Sequence, residues 1–346
     1  MRKWYDNQES SLAVVVASRI RILRNFKSYL FPTRLTNEQK NDLSVLVEDK
    51  LDQLPVVLEK KFENCMLNEI SDINRTALRE RQVINKFSSE NKDGVGLILS
   101  DDESVSLTIN GMDHLRMQIS RCGMELDEVW QEMNRLDDFV NEQFEYAFHE
   151  KFGYMTVYPT NVGTGMRAYL ILHLPMLSSS KRFRALLNEI SRYGVTVKGA
   201  FGEGQDNDGN MFVLYNQKTL GLSEKDIIQV LIKVARQLAS QEKAVRRQVL
   251  TTHRLELEDS IYRSYGTLKY AKNLSLKETI DHLSQIRLGQ EEGLLSFKEP
   301  CNCYKMMLGV QNANLQVYWE RQMEEKALNK ARATYIQRHI PELSEE

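Results

Sequence analysis

Nine of the seventeen glycines in this 346-residue chain fall between Gly153 and Gly221, among strand-like runs at 154–158, 166–174, 195–197 and 211–215. Glycine serves tight turns and close backbone approach, so this spacing predicts strands whose connecting loops come up against a ligand. A helix over 181–193 separates the second and third runs. Upstream, 38–54 carries an amphipathic helical period, and 95–100 with 104–109 reads as a hairpin turned at Asp101-Asp102-Glu103. Residues 113–120 add a further strand. The clearest helix is 125–149, where Leu126, Val129, Trp130, Met133, Leu136, Val140, Phe144 and Ala147 recur at three and four residues.

Beyond a helix at 223–250, opened by Ser223 and Asp226 at cap spacing, only helices are expected. One covers 274–286 behind Ser275 and Glu278 at capping-box spacing, and another covers 317–340. This change of character sets a domain boundary near residue 252. A mixed domain spans 1–252 and a helical domain spans 253–346.

Lysine and arginine total 46 against 48 acidic residues, so no global basic field exists to hold nucleic acid or an anionic membrane. The apolar run 12–17 is too short for a signal core or a membrane span, and a soluble cytoplasmic protein is expected. Cys65, Cys122, Cys301 and Cys303 are too few and scattered for a disulfide framework. Cys301-Asn302-Cys303 has neither redox nor zinc spacing, and the six histidines show no metal-ligand pairing.

No Walker A segment and no protein-kinase catalytic loop occur. Arginine at strand spacing stands instead. Arg19-Ile20-Arg21 follows the apolar run 14–17, and an extended segment there turns both guanidinium groups to one side. Arg116 lies in a predicted strand, and Arg167 follows the loop Pro159-Thr160-Asn161-Val162-Gly163-Thr164-Gly165. Convergent planar forks suit a polyphosphate where no P-loop is present, although each arginine alone reads more readily as a solvated charge. The loop 199–209 mixes glycines with Glu203, Asp206 and Asp208. An EF-hand register fails there, because Gly204 and Tyr215 stand where acidic ligands belong. The loop reads either as a flexible acidic lid over a cationic substrate or as a plain surface turn.

At this point a family resemblance becomes specific. Ala17-Ser18-Arg19-Ile20-Arg21-Ile22-Leu23-Arg24-Asn25 resembles the Ser-Ser-Arg-Ile-Arg-Leu-Ala-Arg-Asn segment of the phosphagen kinase superfamily. Asn110-Gly111-Met112-Asp113-His114-Leu115-Arg116 is similar to its Asn-Glu-Glu-Asp-His-Leu-Arg segment. Residues 159–168 resemble its Pro-Thr-Asn-x-Gly-Thr-Gly-x-Arg-Ala loop. Leu257-Glu258-Asp259-Ser260-Ile261-Tyr262-Arg263-Ser264-Tyr265-Gly266 and Ile286-Arg287-Leu288-Gly289 resemble the helical C-terminal domain of bacterial protein arginine kinases of the McsB type. The order and spacing of these segments agree over nearly the whole chain.

The resemblance implies an α+β fold, an antiparallel sheet flanked by helices with an all-helical C-terminal domain. It implies transfer of a phosphoryl group from ATP, with Mg2+, to arginine guanidinium groups of proteins. Nucleotide contacts fall by resemblance to Ser18, Arg19, Ile20, Arg21, Arg116, Arg167, Ala168, Tyr169, Lys198, Gly199 and Glu203. Lys198 stands where arginine is usual, and Gln82 where a nucleotide-contacting histidine is usual. No protein-held metal site is implied.

The departures fall on the chemistry. A guanidinium has no free lone pair at neutral pH, and the family supplies two carboxylates to orient and deprotonate it. Met112 occupies the place of the catalytic glutamate and Tyr158 that of a cysteine. The second carboxylate survives as Glu203, with Asp206 as a substitute and Asp113 as a further recruit. Near the C-terminus, 327–333 keeps only Arg332-Ala333 of a phosphoarginine-binding pattern. Two readings stay open: a divergent protein arginine kinase, and a nucleotide-binding pseudokinase acting in protein quality control. Partners implied by the family are a zinc-containing activator protein, a heat-shock repressor, a Clp-type unfoldase and a second copy of the chain.

Overall fold

The computed structural model describes residues 2–6, 14–201 and 207–344. Among these, eight strands form one antiparallel sheet: β1 (Val15–Arg24), β2 (Phe62–Met66), β3 (Gly96–Ser100), β4 (Val105–Ile109), β5 (Leu115–Cys122), β8 (Met166–His173), β9 (Val195–Gly199) and β10 (Met211–Asn216). Their order is β2-β3-β4-β5-β1-β8-β10-β9. A small hairpin pairs β6 (Phe148–His149) with β7 (Gly153–Tyr154). The helices are α1 (Asn37–Lys50), α2 (Leu54–Val57), α3 (Asp72–Glu80), α4 (Lys86–Glu90), α5 (Leu126–Gln143), α6 (Pro175–Ser178), α7 (Phe183–Ser191) and α8 (Glu224–Thr252). Then come α9 (Arg254–Tyr270), α10 (Leu276–Glu291), α11 (Cys303–Gly309), α12 (Asn312–Tyr318) and α13 (Glu325–His339). No helix among the described residues is long and apolar enough to cross a membrane. Two compact units divide the chain. One is built on 17–170 and 215–232, the other on 171–214 and 233–346.

In the first unit the pleat sorts side chains by face. β1 pairs with β5 so that Ile20 opposes Ile119 and Ile22 opposes Met117, all of them inaccessible to water. Helix α5 covers this apolar face. Its periodic residues Leu126, Val129, Met133, Leu136 and Val140 are buried, as the spacing predicts. Two polar residues on the same face of β1 fasten α5 at its two ends. The Ser18 hydroxyl donates to Gly123 O (2.6 Å) and accepts from the Glu125 amide (2.8 Å), which opens the helix. Arg24, 1% exposed, forms a bidentate pair with Asp137 and stands 3.4 Å over the Tyr154 ring.

Several expected elements differ in extent. The 125–149 helix stops at Gln143, because Phe144 turns extended to stack on Phe26 at 4.3 Å. The Ala147 amide then donates to Asn25 O. Of the 154–158 strand only Tyr154 is realised, as the second residue of β7. The 317–340 helix is two helices, broken where Glu320 adopts a φ of 47°. The break folds α12 back so that Tyr318 packs on Tyr335 and His339, and Arg338 lies 4.6 Å over the Trp319 ring. Both cap signals are realised: Ser275 and Glu278 form a capping box, and Ser223 and Asp226 exchange the same bonds.

The second unit contains a buried charge network. Arg246 bonds to Glu242 (2.7 Å), Glu291 (2.7 Å) and Glu292 (3.1 Å). Burial by itself would raise Glu291, but Arg287, His173 and Arg246 outweigh it and hold the carboxyl at about 2. His173 is driven down to about 4, chiefly by burial, and is neutral at pH 7.

Two outcomes follow from these pairs. Asp137→Ala strands the Arg24 cation in the core, and chemical denaturation should record a loss of about 3–5 kcal/mol. Glu291 has a folded value below its ordinary one, so its contribution is complete above pH 4.5 and disappears as pH falls toward 2. Glu291→Gln should therefore lower stability at pH 7 and flatten its dependence on pH between 5 and 2.

Candidate functional site

The opposite face of the first unit's sheet is cationic. By register, Arg19, Arg21 and Leu23 share a side with Ser120, Gln118 and Arg116 of β5, and with Ser106 and Thr108 of β4. Arg167 and Tyr169 of β8 reach the same neighbourhood, with the Arg21 guanidinium 6.0 Å from the Tyr169 ring centre. The structure thus gathers Arg19, Arg21, Arg116, Arg167 and Tyr169. Ser18, Ile20 and Ala168 alternate to the apolar side, and the Ala168 amide bonds Asn216 Oδ1 at 2.9 Å. Lys198 and Gly199 end β9 in the second unit, Lys198 exposed. Glu203 and Asp206 lie outside the described residues.

Neutral hydrogen-bond acceptors hold this face in place. Arg19 Nε donates to Ser120 Oγ (2.9 Å), and its Nη1 donates to Gln82 Oε1. Arg116 Nη2 donates to Gln118 Oε1 (2.6 Å), and Gln118 Nε2 donates back to Gln82 O (2.8 Å). Gln82 has a φ of 62°, and the adjoining Val83 carbonyl receives Ser106 Oγ (3.1 Å) and Arg116 Nη1 (3.3 Å). A cluster of Leu67, Leu78, Val83, Ile84, Val95 and Leu97 pins this turn over the sheet. Arg167 is committed mainly to backbone: Nη1 to Asn216 O and Gln217 O, Nη2 to Thr160 O (3.0 Å), with Nε donating to Asn161 Oδ1 (3.4 Å).

The glycine loop before Arg167 is tied down from both sides. A Cβ at Gly163 would stand 2.1 Å from Thr219 O, and one at Gly165 2.7 Å from Leu23 O. Both glycines have positive φ, 112° and 66°. The close approach inferred from glycine density is therefore an approach to neighbouring backbone.

Two donors on this face are left open. Arg21 Nε and Arg116 Nε are buried with no hydrogen-bond partner among the described residues. Burial, then the Arg21 charge and more weakly the Arg19 charge, push Arg116 down to about 9, against a favourable contribution from Tyr169. Clustered guanidinium groups with unsatisfied donors match a ligand of high negative charge, and the fork geometry suits phosphate oxygens.

A cavity of about 90 Å³ opens beside them, lined by Arg21, Leu23, Asn85, Ser88, Gly111, Met112, Asp113, Arg116, Tyr158 and Asn161. Met112 sits at the tip of the β4–β5 turn. Asn110, at a φ of 55°, anchors one end of that turn through Nδ2 to Lys40 O and Ser44 Oγ. The other end is held by Asn25, which accepts the His114 amide and donates to Asp113 Oδ1. Asp113 Oδ1 also accepts the Val157 amide at 2.8 Å. Burial lifts this carboxyl above its ordinary value, opposed by these two bonds and by Arg21. His114 is structural: Nδ1 accepts the Phe26 amide, Nε2 donates to Leu30 O, and burial lowers it to about 4.

Sequence reasoning passed over Gln118, Asn216 and Ser88, and named Asn161 only as a member of the glycine loop. Gln118 was recoverable, since it stands two residues from Arg116 on a strand and must share its face. Among the described residues no group of three His, Cys, Asp or Glu side chains is placed to hold a metal ion.

Removing one charge should relieve repulsion within the face. Arg21→Gln is expected to keep or raise the melting temperature of the unliganded protein. Pyrophosphate is expected to raise the melting temperature of the wild type and not that of the variant, both read by differential scanning calorimetry.

Comparison with known proteins agrees with this chemistry. Residues 44–245 match the family described as ATP:guanido phosphotransferase, C-terminal catalytic domain. Residues 254–346 match the protein-arginine kinase McsB C-terminal domain. The protein-arginine kinase of Clostridium novyi (strain NT) is 36% identical over 316 residues, covering 91% of this chain and 92% of that protein. That of Bacillus subtilis (strain 168) is 36% identical over 318 residues, covering 92% and 87%. Lombricine kinase shares the fold at a TM-score of 0.60 and 20% identity, over 72% of each chain. The duplicated taurocyamine kinase from Schistosoma mansoni does so at 0.60 and 21%, over 75% of this chain and 38% of that one. Arginine-rich strand face, glycine loop and helical tail thus occur together because the chain belongs to the ATP:guanido phosphotransferase family, in its protein-arginine kinase branch.

Proposed function

We propose that this protein transfers a phosphoryl group from ATP to arginine side chains of proteins, with a transfer step slowed by Met112 and Tyr158. The observation that carries the reading is the pair of open, buried guanidinium donors, Arg21 Nε and Arg116 Nε, beside a cavity lined by Met112 and Tyr158. Arg19, Arg21, Arg116 and Arg167 would bind the nucleotide phosphates, with Tyr169 at the edge of the cluster. Lys198 and Gly199 are further nucleotide contacts on the family resemblance alone. Magnesium bound with the nucleotide would supply charge neutralisation. The protein's own part is to fix the phosphates in line with the acceptor nitrogen and to keep water out.

The acceptor nitrogen must lose a proton as the N–P bond forms and the γ-phosphoryl bond to ADP breaks. Glu203 receives that proton in this reading, with Asp206 as its substitute. Asp113 already binds Asn25 and Val157, which leaves it less suited to the role. Met112 has no proton-accepting group, and this favours the second reading, a nucleotide-binding pseudokinase. The first reading carries with it the division at residues 252 and 253, a cytoplasmic setting and a possible homodimer. It also carries an activator protein, a heat-shock repressor and a Clp-type unfoldase as partners.

Labelled ATP with casein as acceptor tests the reading through acid-labile arginine phosphate. Wild-type transfer is expected about 10²–10⁴-fold below that of Met112→Glu or Met112→Glu/Tyr158→Cys. Equal rates in wild type and variants would overturn the role given to Met112. No transfer by any of them, with Mg-ATP still raising the melting temperature, would leave the pseudokinase.

A further inference from the structure

The segment that carries Glu203 and Asp206 is bounded by Phe201 and Asn207, and the chain that follows it is fastened to the helical tail. Residues 171–214 and the helices from 233 onward belong to one compact unit. Backbone bonds close the stem of the segment: the Ala200 amide donates to Met211 O (2.8 Å) and the Asp208 amide to Phe201 O (3.4 Å). Beyond the stem, residues 208–210 lie against α10. Gly209, at a φ of 68°, donates its amide to Asp281 Oδ1 at 2.8 Å. A Cβ at Gly209 would stand 2.4 Å from Ile280 Cγ2 and 3.0 Å from Ile280 O, so the backbone conformation and the closeness of the helix both require glycine.

Asn210, at a φ of 53°, is gripped on three sides. Its Oδ1 accepts Ser178 Oγ (3.1 Å), its Nδ2 donates to Ser284 Oγ of α10 (3.3 Å), and its carbonyl accepts the Leu174 amide (2.9 Å). Lys277 Nζ joins Asp208 Oδ1 to Asp281 Oδ2, 3.1 Å from each. The Lys277 side chain is 67% exposed, so this bridge contributes less than the contacts of Gly209 and Asn210 beneath it. Two successive residues of positive φ cost free energy unless their surroundings fix them, and α10 supplies both a hydrogen-bond acceptor and a packing surface.

A carboxylate that takes a proton from the reacting nitrogen must stand within hydrogen-bond reach of it, and a misplacement of about 1 Å costs about a hundredfold in rate. In sequence Asp206 is two residues from Asp208, and Glu203 two residues from Phe201. The point at which this chain is fixed therefore limits how well either carboxylate is placed. We infer that Asp281 of α10 is a positioning residue for phosphoryl transfer: by holding the Gly209 amide it fixes the end of the segment that supplies the carboxylate, and makes the helical tail a working part of the transfer step. The inference rests on the reading above for the role of Glu203 or Asp206, and goes beyond it by giving the tail a share in the chemistry.

Steady-state phosphotransfer to casein tests it, with the full chain carrying Met112→Glu as parent and Asp281→Ala, Asp281→Asn or Gly209→Ala added to it. Asp281→Ala should lower kcat roughly 10–100-fold, while the KM for ATP and the rise in melting temperature on adding Mg-ADP stay as in the parent. Asp281→Asn keeps an oxygen for the Gly209 amide and should recover most of the lost kcat. Gly209→Ala disturbs the same contact from the other side and should show the same split between kcat and KM. A kcat unchanged in Asp281→Ala overturns the inference. So does a loss of kcat matched by a loss of nucleotide binding, or one that Asp281→Asn fails to relieve, since either marks a merely structural residue. Absence of transfer from the Met112→Glu parent itself, with Mg-ADP still bound, overturns the reading above and takes this inference with it, whereas a parent that transfers confines any failure to Asp281.

Discussion

Crowding of guanidinium groups on one face of a sheet is the constraint around which the first unit is arranged. Like charges held close and partly out of water repel, and the fold must supply that free energy from elsewhere. It does so from the opposite face, where Ile20, Ile22, Met117 and Ile119 are sealed under α5. β1 is therefore a strand with two separate jobs, divided by parity. Arg24 shows what a stabilising arginine looks like here. Asp137, two backbone carbonyls and the Tyr154 ring complete its guanidinium. Arg21, three residues earlier on the other face, has an uncompleted Nε and a cationic neighbour. The same residue type is closed on one side and open on the other, and openness is the property that binds an anion.

Rigidity of the open side comes from uncharged groups. Gln82, Gln118 and Ser120 accept from the arginines without neutralising them, so the positive field is retained for a ligand. A carboxylate in the place of Gln118 would hold Arg116 as well and cancel its charge. The positive φ of Gln82 belongs to the same arrangement, since it lets the Gln82 and Val83 carbonyls both point at the sheet.

How far this was legible in sequence depends on the range of the forces involved. The alternation Arg19-Ile20-Arg21 and the heptad-like spacing of α5 are local, and the face of Arg19 and Arg21 and the buried stripe from Leu126 to Val140 follow from them directly. The end of α5 is not local: Phe144 continues the apolar period and leaves the helix because Phe26, far away in sequence, offers it a ring to stack on. The 317–340 segment has good helix formers throughout, yet contacts of Tyr318 with Tyr335 and His339 favour a turn over helical continuity. Glycines 163 and 165 were recognisable as sites of close approach, but what they approach, Thr219 and Leu23, is set by tertiary pairing. Ser88 carried no signal at all, because an open hydroxyl is visible only once its surroundings are known.

Met112 and Tyr158 lie where chemistry and folding are separable. Asn110 and Asn25 clamp the two ends of the β4–β5 turn, so the tip at Gly111 and Met112 bears little of the fold's free energy. Tyr158 is half exposed at the start of the Pro159–Asn161 turn, and its carbonyl rather than its ring accepts from Thr156. On the function proposed above, substitutions at these two positions would change what an acceptor meets while the arginine face, its neutral braces and α5 stay as they are. A scaffold of this kind loses or regains an acceptor carboxylate by a single residue at a turn tip. On that proposed function, ligand binding and phosphoryl transfer are therefore separable properties of the same sheet.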